Sequence, residues 1–142
     1  MLRISIFLTA FALALAPVAA PLVGAGHPLA ALLIRSFFSR LCHQDPTRSF
    51  LIDGSPVAVC VRCLGIYCGA ALAALIPAGR ASAGKLLAAG FLLNVADVAT
   101  GMLHWHGNVP AARFGLGLLL GAGAAAVVLW PWSVTAGQLI EN

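Results

Sequence analysis

The sequence predicts an all-α, polytopic membrane helical bundle with four transmembrane helices, one short interfacial helix and a cysteine-rich loop. Three observations carry that expectation. First, the chain of 142 residues is 61% hydrophobic and only 8% charged, with a mean hydropathy of +1.00. A soluble domain carries about 25% charged residues, and a chain with so few cannot clothe a globule in polar surface. Second, four apolar runs approach the ~20 residues that cross a bilayer. Third, Gly65 and Gly69, and Gly117 and Gly121, recur at four-residue steps, with Gly123 following. Small residues so spaced let helix backbones approach closely in lipid. Open sheets are excluded there, because unpaired backbone groups cost several kcal/mol each.

The spans are expected at about 4–23, 60–77, 84–103 and 111–130, all within a single integral membrane domain covering 1–142. The first run, Ile4 to Val23, follows Arg3 and contains Pro17 and Pro21, which would kink or end it. A cleavable leader ending at Ala19-Ala20 is the competing reading; Pro21 directly after that pair disfavours cleavage. Gly24-Ala25-Gly26-His27-Pro28 is a break. Leu29 to Leu41 then reads as an interfacial helix, with Leu29, Leu32, Leu33, Phe37 and Leu41 on its apolar face and Arg35 and Arg40 outward.

Turn signals at Asp45-Pro46 and Asp53-Gly54-Ser55-Pro56 make 42–63 a compact loop. The next span stops at Pro77-Ala78-Gly79, and Arg80 to Lys85 reads as a short basic turn. Asn94, Asp97 and Thr100 interrupt the third span, and His104-Trp105-His106-Gly107-Asn108 reads as an interface loop. The fourth span ends at Trp130-Pro131-Trp132.

The net charge is +4, with Arg and Lys scattered at loops and helix ends. That pattern suits a lipid bilayer and its anionic headgroups, not nucleic acid. The side the loop faces stays open. Arg35, Arg40, Arg48, Arg62 and Arg113 outnumber Arg3, Arg80 and Lys85, which would make the loop cytoplasmic; setting Arg48 and Arg62 aside as functional leaves a near tie. Nucleotide loops, a Ser-His-Asp order and an HExxH stretch are missing, so ATPase, serine hydrolase and zincin chemistry lack their signatures.

Chemistry concentrates between Cys42 and Tyr67, which hold three of the four cysteines. Cys60-Val61-Arg62-Cys63 is a C-x-x-C, and Cys42-His43 lies upstream. Cys42, His43, Cys60 and Cys63 offer the ligand count of a closed Cys3His site for zinc or iron. The adjacency of Cys42 and His43 demands a sharp backbone bend; His104 or His106 is the substitute nitrogen donor. The same sulfurs support a second reading, a membrane thiol-disulfide oxidoreductase in which Cys60 or Cys63 is the nucleophile and Cys42 the resolving thiol. A plain disulfide from Cys42 to Cys60 or Cys63, or inert thiols, is the third. Cys68 reads as a buried small hydrophobe.

Asn94, Asp97 and Thr100 share one helix face. An unpaired ion in a membrane centre costs at least ~2.5–3.5 kcal/mol, so Asp97 is expected to pair with Arg113, Arg62 or Arg48. Together Arg48, Arg62, Asn94, Asp97 and Arg113 read either as a structural ion pair or as a polar pocket for an anionic lipid or small solute, which would make the chain a binding or transport module.

The stretch Cys42-His43-Gln44, Pro46, Arg48-Ser49-Phe50, then Cys60, Arg62-Cys63, Gly65-Ile66-Tyr67 and Gly69 resembles domain-of-unknown-function family 2085, small prokaryotic predicted membrane proteins with CHQ-x-P-x-RSF followed by C-x-RC-x-GIY-x-G. Asp97, Arg113, Gly117 and Gly121 fit the family's second half, with Leu116 where threonine is usual. The resemblance runs roughly from Pro28 to Gly121 and implies a multi-pass protein of the prokaryotic inner membrane. It implies no activity.

Overall fold

The computed structural model describes residues 2–76, 79–103, 107 and 109–138. The order is α1 (Leu2–Gly24), α2 (Pro28–Phe38), a 3-10 turn (Pro46–Arg48), β1 (Leu51–Ile52), β2 (Ser55–Pro56), α3 (Val61–Leu75), α4 (Arg80–Met102) and α5 (Pro110–Gln138). It is an all-α bundle whose exterior is apolar: Leu22 is 60% exposed, Leu92 65% and Met102 76%, a surface suited to lipid. Among the described residues three helical stretches are long and apolar enough to cross a membrane: Leu2–Gly24, Ala81–Met102 and Pro110–Pro131. The expected span over 60–77 is shorter, because α3 has 15 residues. At 1.5 Å per residue it is ~22 Å long, less than the ~30 Å hydrocarbon core.

Other boundaries also differ from the sequence expectation. Arg80 to Lys85 is not a turn but the start of α4, entered from an extended Gly79; Ala81, Ala83 and Lys85 are strong helix formers that carry it. α5 does not end at Trp130-Pro131-Trp132 but runs through Pro131 to Gln138. One missing N–H and one ring clash are tolerated where the rest of the helix is sound. The expected loop residues His104, Trp105, His106 and Asn108 lie outside the described residues, as do Pro77 and Ala78.

α3 packs chiefly on α5, α4 on α5, and α1 on α3 and α2. The α3–α5 seam is made of glycine on both sides. A Cβ on Gly65 would meet the carbonyl oxygen of Phe114, and one on Gly69 that of Leu118. Conversely, Gly117 and Gly121 lie against the carbonyls of Arg62 and Ile66. Any side chain there would force the two backbones apart. Gly90 against Leu120, and Gly123 against Leu87, make the α4–α5 seam in the same way.

α1 continues through both of its prolines. Pro21 has no N–H to give the carbonyl of Pro17, four residues back. The N–H of Ala58 fills that place, donating to the Pro17 oxygen at 3.1 Å. The cysteine loop is thereby fastened to α1 through a gap that proline opens. Around this anchor a small core forms from Ala20, Phe38, Cys42, Val57, Ala58, Val59 and Leu64.

Candidate functional site

Two short devices fold the loop. Asp45 caps the 3-10 turn: its Oδ1 accepts from the Thr47 N–H at 2.9 Å and the Thr47 hydroxyl at 2.7 Å. Those bonds, the hydroxyl's first, hold its carboxyl below the usual carboxylate range. Asp53 and Gly54 then adopt φ of 49° and 75°, the twin left-handed pair of a two-residue hairpin turn. It pairs Ile52 with Ser55 and Leu51 with Pro56.

Gln44 ties the loop to α2. Its backbone turns left-handed, φ 54°, and its side-chain amide donates to Arg35 O at 2.8 Å and to Ala58 O at 2.7 Å. Arg35 was expected to face outward from the interfacial helix. It instead donates to the Pro56 carbonyl at 2.6 Å, which gives the hairpin's part-buried oxygen a partner. The apolar residues Leu29, Leu32, Leu33 and Phe37 do face outward, each more than half exposed, while Phe38 is 1% exposed.

Phe38 sets the position of Cys42. The Cys42 N–H closes a helical turn on the Phe38 carbonyl at 2.8 Å, which buries the thiol at the end of α2. Cys60 is the N-cap residue of α3, with extended φ −70° and ψ 157°, and Cys63 lies one turn on. The Sγ atoms of Cys42, Cys60 and Cys63 all fall within 4.8 Å of one another. All four cysteines are free thiols. The N–H of Cys60 points at Cys42 Sγ from 3.2 Å and that of Gln44 from 3.5 Å. A bond from the Cys63 thiol, with N–H groups of Cys63 and Arg62 at the helix start, pulls the Cys60 thiol below its usual range against the opposing effect of burial. His43 is exposed and is not among the clustered donors.

A zinc–sulfur bond of ~2.3 Å places tetrahedral sulfurs ~3.8 Å apart. The three thiols therefore need to close by about an ångström at most. The set fits a soft, thiolate-binding ion by residue type, spacing and N–H support. The CxxC spacing located Cys60 and Cys63, and the Cys42-His43 pair upstream in the same polar stretch supplied the third. Sequence reasoning missed Gln44, whose role as a tie between two carbonyls has no signature in composition or spacing.

The second polar set lies across α3 from the thiols. Asp97 Oδ2 pairs with Arg62 and with Arg113, the latter at 3.4 Å. The side chains are 11%, 25% and 13% exposed respectively. Arg48, 62% exposed, is held by Asp45 at 3.3 Å and joins these three in lining a cavity of about 290 Å³. Asn94, 7% exposed, stands one turn away. Its amide donates to Gly90 O at 2.7 Å and Leu116 O at 2.8 Å, bridging α4 and α5. The ring of Phe50 lies 6.1 Å from that of Phe114, so the loop also touches α5.

A protein family described as "Predicted membrane protein (DUF2085)" matches residues 42–127. The match starts at Cys42, not in α2, and extends beyond Gly121. An uncharacterised protein of Methanothermobacter thermautotrophicus is 35% identical over 95 residues, 63% of this chain and 86% of that protein. An uncharacterised protein of Methanocaldococcus jannaschii is 44% identical over 45 residues, 32% of this chain. The chain spans 29% of the length of that relative. No solved structure matches the chain. The sulfur cluster, the arginines around Asp97 and the glycine seams all fall within the matched residues, and the chain belongs to the predicted membrane protein family 2085 of domains of unknown function.

Proposed function

We propose that this is a metal-binding integral membrane protein, with Cys42, Cys60 and Cys63 as thiolate ligands to zinc or iron. One observation carries the reading: three sulfurs from two separate chain segments converge within 4.8 Å. Two N–H groups aimed at Cys42 Sγ are the kind of outer donor that orients a sulfur ligand. His43, exposed and adjacent to Cys42, is the candidate for the fourth position. Without it, three protein ligands leave one position for an exogenous ligand, the pattern of a reactive site and not of a purely structural one. The chain is read as a multi-pass protein of a prokaryotic inner membrane, a single domain in which α3 serves as the fourth, short span beneath the metal loop.

The test is elemental analysis of the full chain, purified in detergent without chelator, together with thiol alkylation. About one zinc or iron per chain is expected, with Cys42, Cys60 and Cys63 protected from alkylation until a chelator is added. Cys60→Ser should lose the metal. His43→Ala should weaken retention if the histidine closes the site and leave it unchanged if the fourth position is open. A folded, metal-free preparation would refute the reading. If that preparation also trapped a mixed disulfide in a single-cysteine variant, the thiol oxidoreductase reading of the same three residues would replace it.

A further inference from the structure

The cavity around Asp97 carries more positive charge than it needs. Arg48, Arg62 and Arg113 contribute three guanidinium groups, and Asp97 Oδ2 pairs with both Arg62 and Arg113. Asp45 neutralises Arg48 from outside the cavity. Among the described residues, three guanidinium groups meet two carboxylates, a formal excess of one positive charge. The Arg62 Nε is buried and meets no acceptor among the described residues. Arg62 is also the second residue of α3 and Arg113 the fourth of α5, so two helix N-termini add positive potential. The C-terminal turn of α4, with Gly101 and Met102 in the wall, opposes it only in part. A surplus cation beside hydrocarbon is costly unless an anion completes it. Guanidinium forks suit phosphate and carboxylate.

Beside the cavity lies a groove of about 380 Å³ lined by Arg62, Phe91, Val95, Val98, Ala99 and Met102, together with Asn94 and Leu120. Arg62, Val98 and Met102 line both spaces. Phe91, Val95 and Val98 are 58%, 49% and 44% exposed. From Phe91 to Met102 the groove follows α4 for ~16 Å, about half the ~30 Å hydrocarbon thickness and so the depth of one leaflet.

We infer that cavity and groove are one site for an anionic lipid, its phosphate between Arg48, Arg62 and Arg113 and an acyl chain along Phe91, Val95 and Val98. Charge complementarity selects the headgroup, and the shared wall makes head and chain parts of one ligand. The site is independent of the thiol cluster and stands or falls without it.

The test uses the full chain in neutral detergent, with phosphatidylglycerol, phosphatidylcholine and inorganic phosphate as probes. Thermal unfolding and native mass spectrometry report binding. Phosphatidylglycerol should bind at least tenfold tighter than phosphatidylcholine. Arg48→Gln, at an exposed rim position that tolerates change, should cut that preference about tenfold, the worth of one charge-assisted bond. Val95→Trp, which fills the groove from an exposed position, should weaken phosphatidylglycerol several-fold. Equal binding of the two lipids would overturn the proposal. So would phosphate binding that competes fully with phosphatidylglycerol while Val95→Trp has no effect, which would identify a site for a free anion. Should Arg48→Gln not fold, Arg48→Lys, which keeps charge and loses the fork, must still lower the preference.

Discussion

The first turn of α3 feeds two polar sites of opposite construction. Cys60 and Cys63 at the start of α3 meet Cys42 from the end of α2, across a short connecting loop held by hydrogen bonds to backbone groups. Arg62, between those cysteines, joins Asp97 of α4 and Arg113 of α5. That site exists only because three helices come close. The thiol site is local and organised by turns, whereas the charged site is long-range and organised by glycine seams. The difference implies that each can be broken without the other, despite the single residue separating Cys60 from Arg62 and the shared turn of helix.

The largest effect is expected at the charged site. Asp97→Ala would remove the carboxylate shared by two largely buried arginines, 25% and 13% exposed. Breaking one partner from a buried ionic cluster costs about 3–5 kcal/mol. Denaturant titration of the detergent-solubilised protein measures it, with alkylation of Cys42 and Cys60 in the native baseline as the control. The comparison predicts a large loss of stability with native thiol reactivity unchanged. A loss under about 1 kcal/mol would mean that the arginines reach solvent and that the cluster holds nothing together.

Gln44→Ala is the converse. It removes the donors at 2.8 and 2.7 Å to Arg35 O and Ala58 O, and leaving such carbonyls without a donor costs roughly 1–3 kcal/mol in total when water can reach part of them. Cys42, now 7% exposed, should alkylate about tenfold faster, while anion or lipid binding at the arginines stays as it was. If both sites fail together, the loop and the bundle are one cooperative unit and the contrast between them is false.

This contrast also explains what could be read from the sequence. The thiol site was legible because its information is local: the CxxC spacing fixes Cys60 and Cys63 on one turn, and Asp53-Gly54 announces a tight reversal. For the charged site only its membership was legible. Asp97 in an apolar run demands a cation, and Arg62, Arg113 and Arg48 were all named as candidates. That two of them share one oxygen depends on the distances set by Gly65, Gly69, Gly117 and Gly121, which spacing suggests but cannot measure. Arg35 was misread because a short amphipathic helix says which side is apolar, not which arginine a neighbouring hairpin will claim. The tie from Ala58 to Pro17 had half a signal: Pro21 announces an orphaned carbonyl but not its donor. The loss at Arg80 to Lys85 came from weighing charge above the helix propensity of alanine and lysine.

The smallest effect isolates the hairpin from both sites. At Gly54, φ is +75° and an added Cβ would meet nothing within 4 Å. Gly54→Ala therefore tests backbone strain alone, about 1–2 kcal/mol for an L-residue in the left-handed region. Hydrogen exchange should show the strain as faster exchange at Val57, whose N–H donates to Phe50 O at 2.9 Å, with α3 and α5 amides unchanged. The Ala58 amide separates two ways for the loop to hold its thiols. If it keeps its protection, the bond to Pro17 anchors the loop independently of the turn, and Cys42 and Cys60 stay together when the hairpin frays. If Ala58 exchanges as fast as Val57, the hairpin is what holds the segment against α1, and thiol reactivity should rise with it. The buried placement of Val57, Ala58 and Val59, each at most 2% exposed, favours the first result, because core contacts and not the turn then bear the cost of opening.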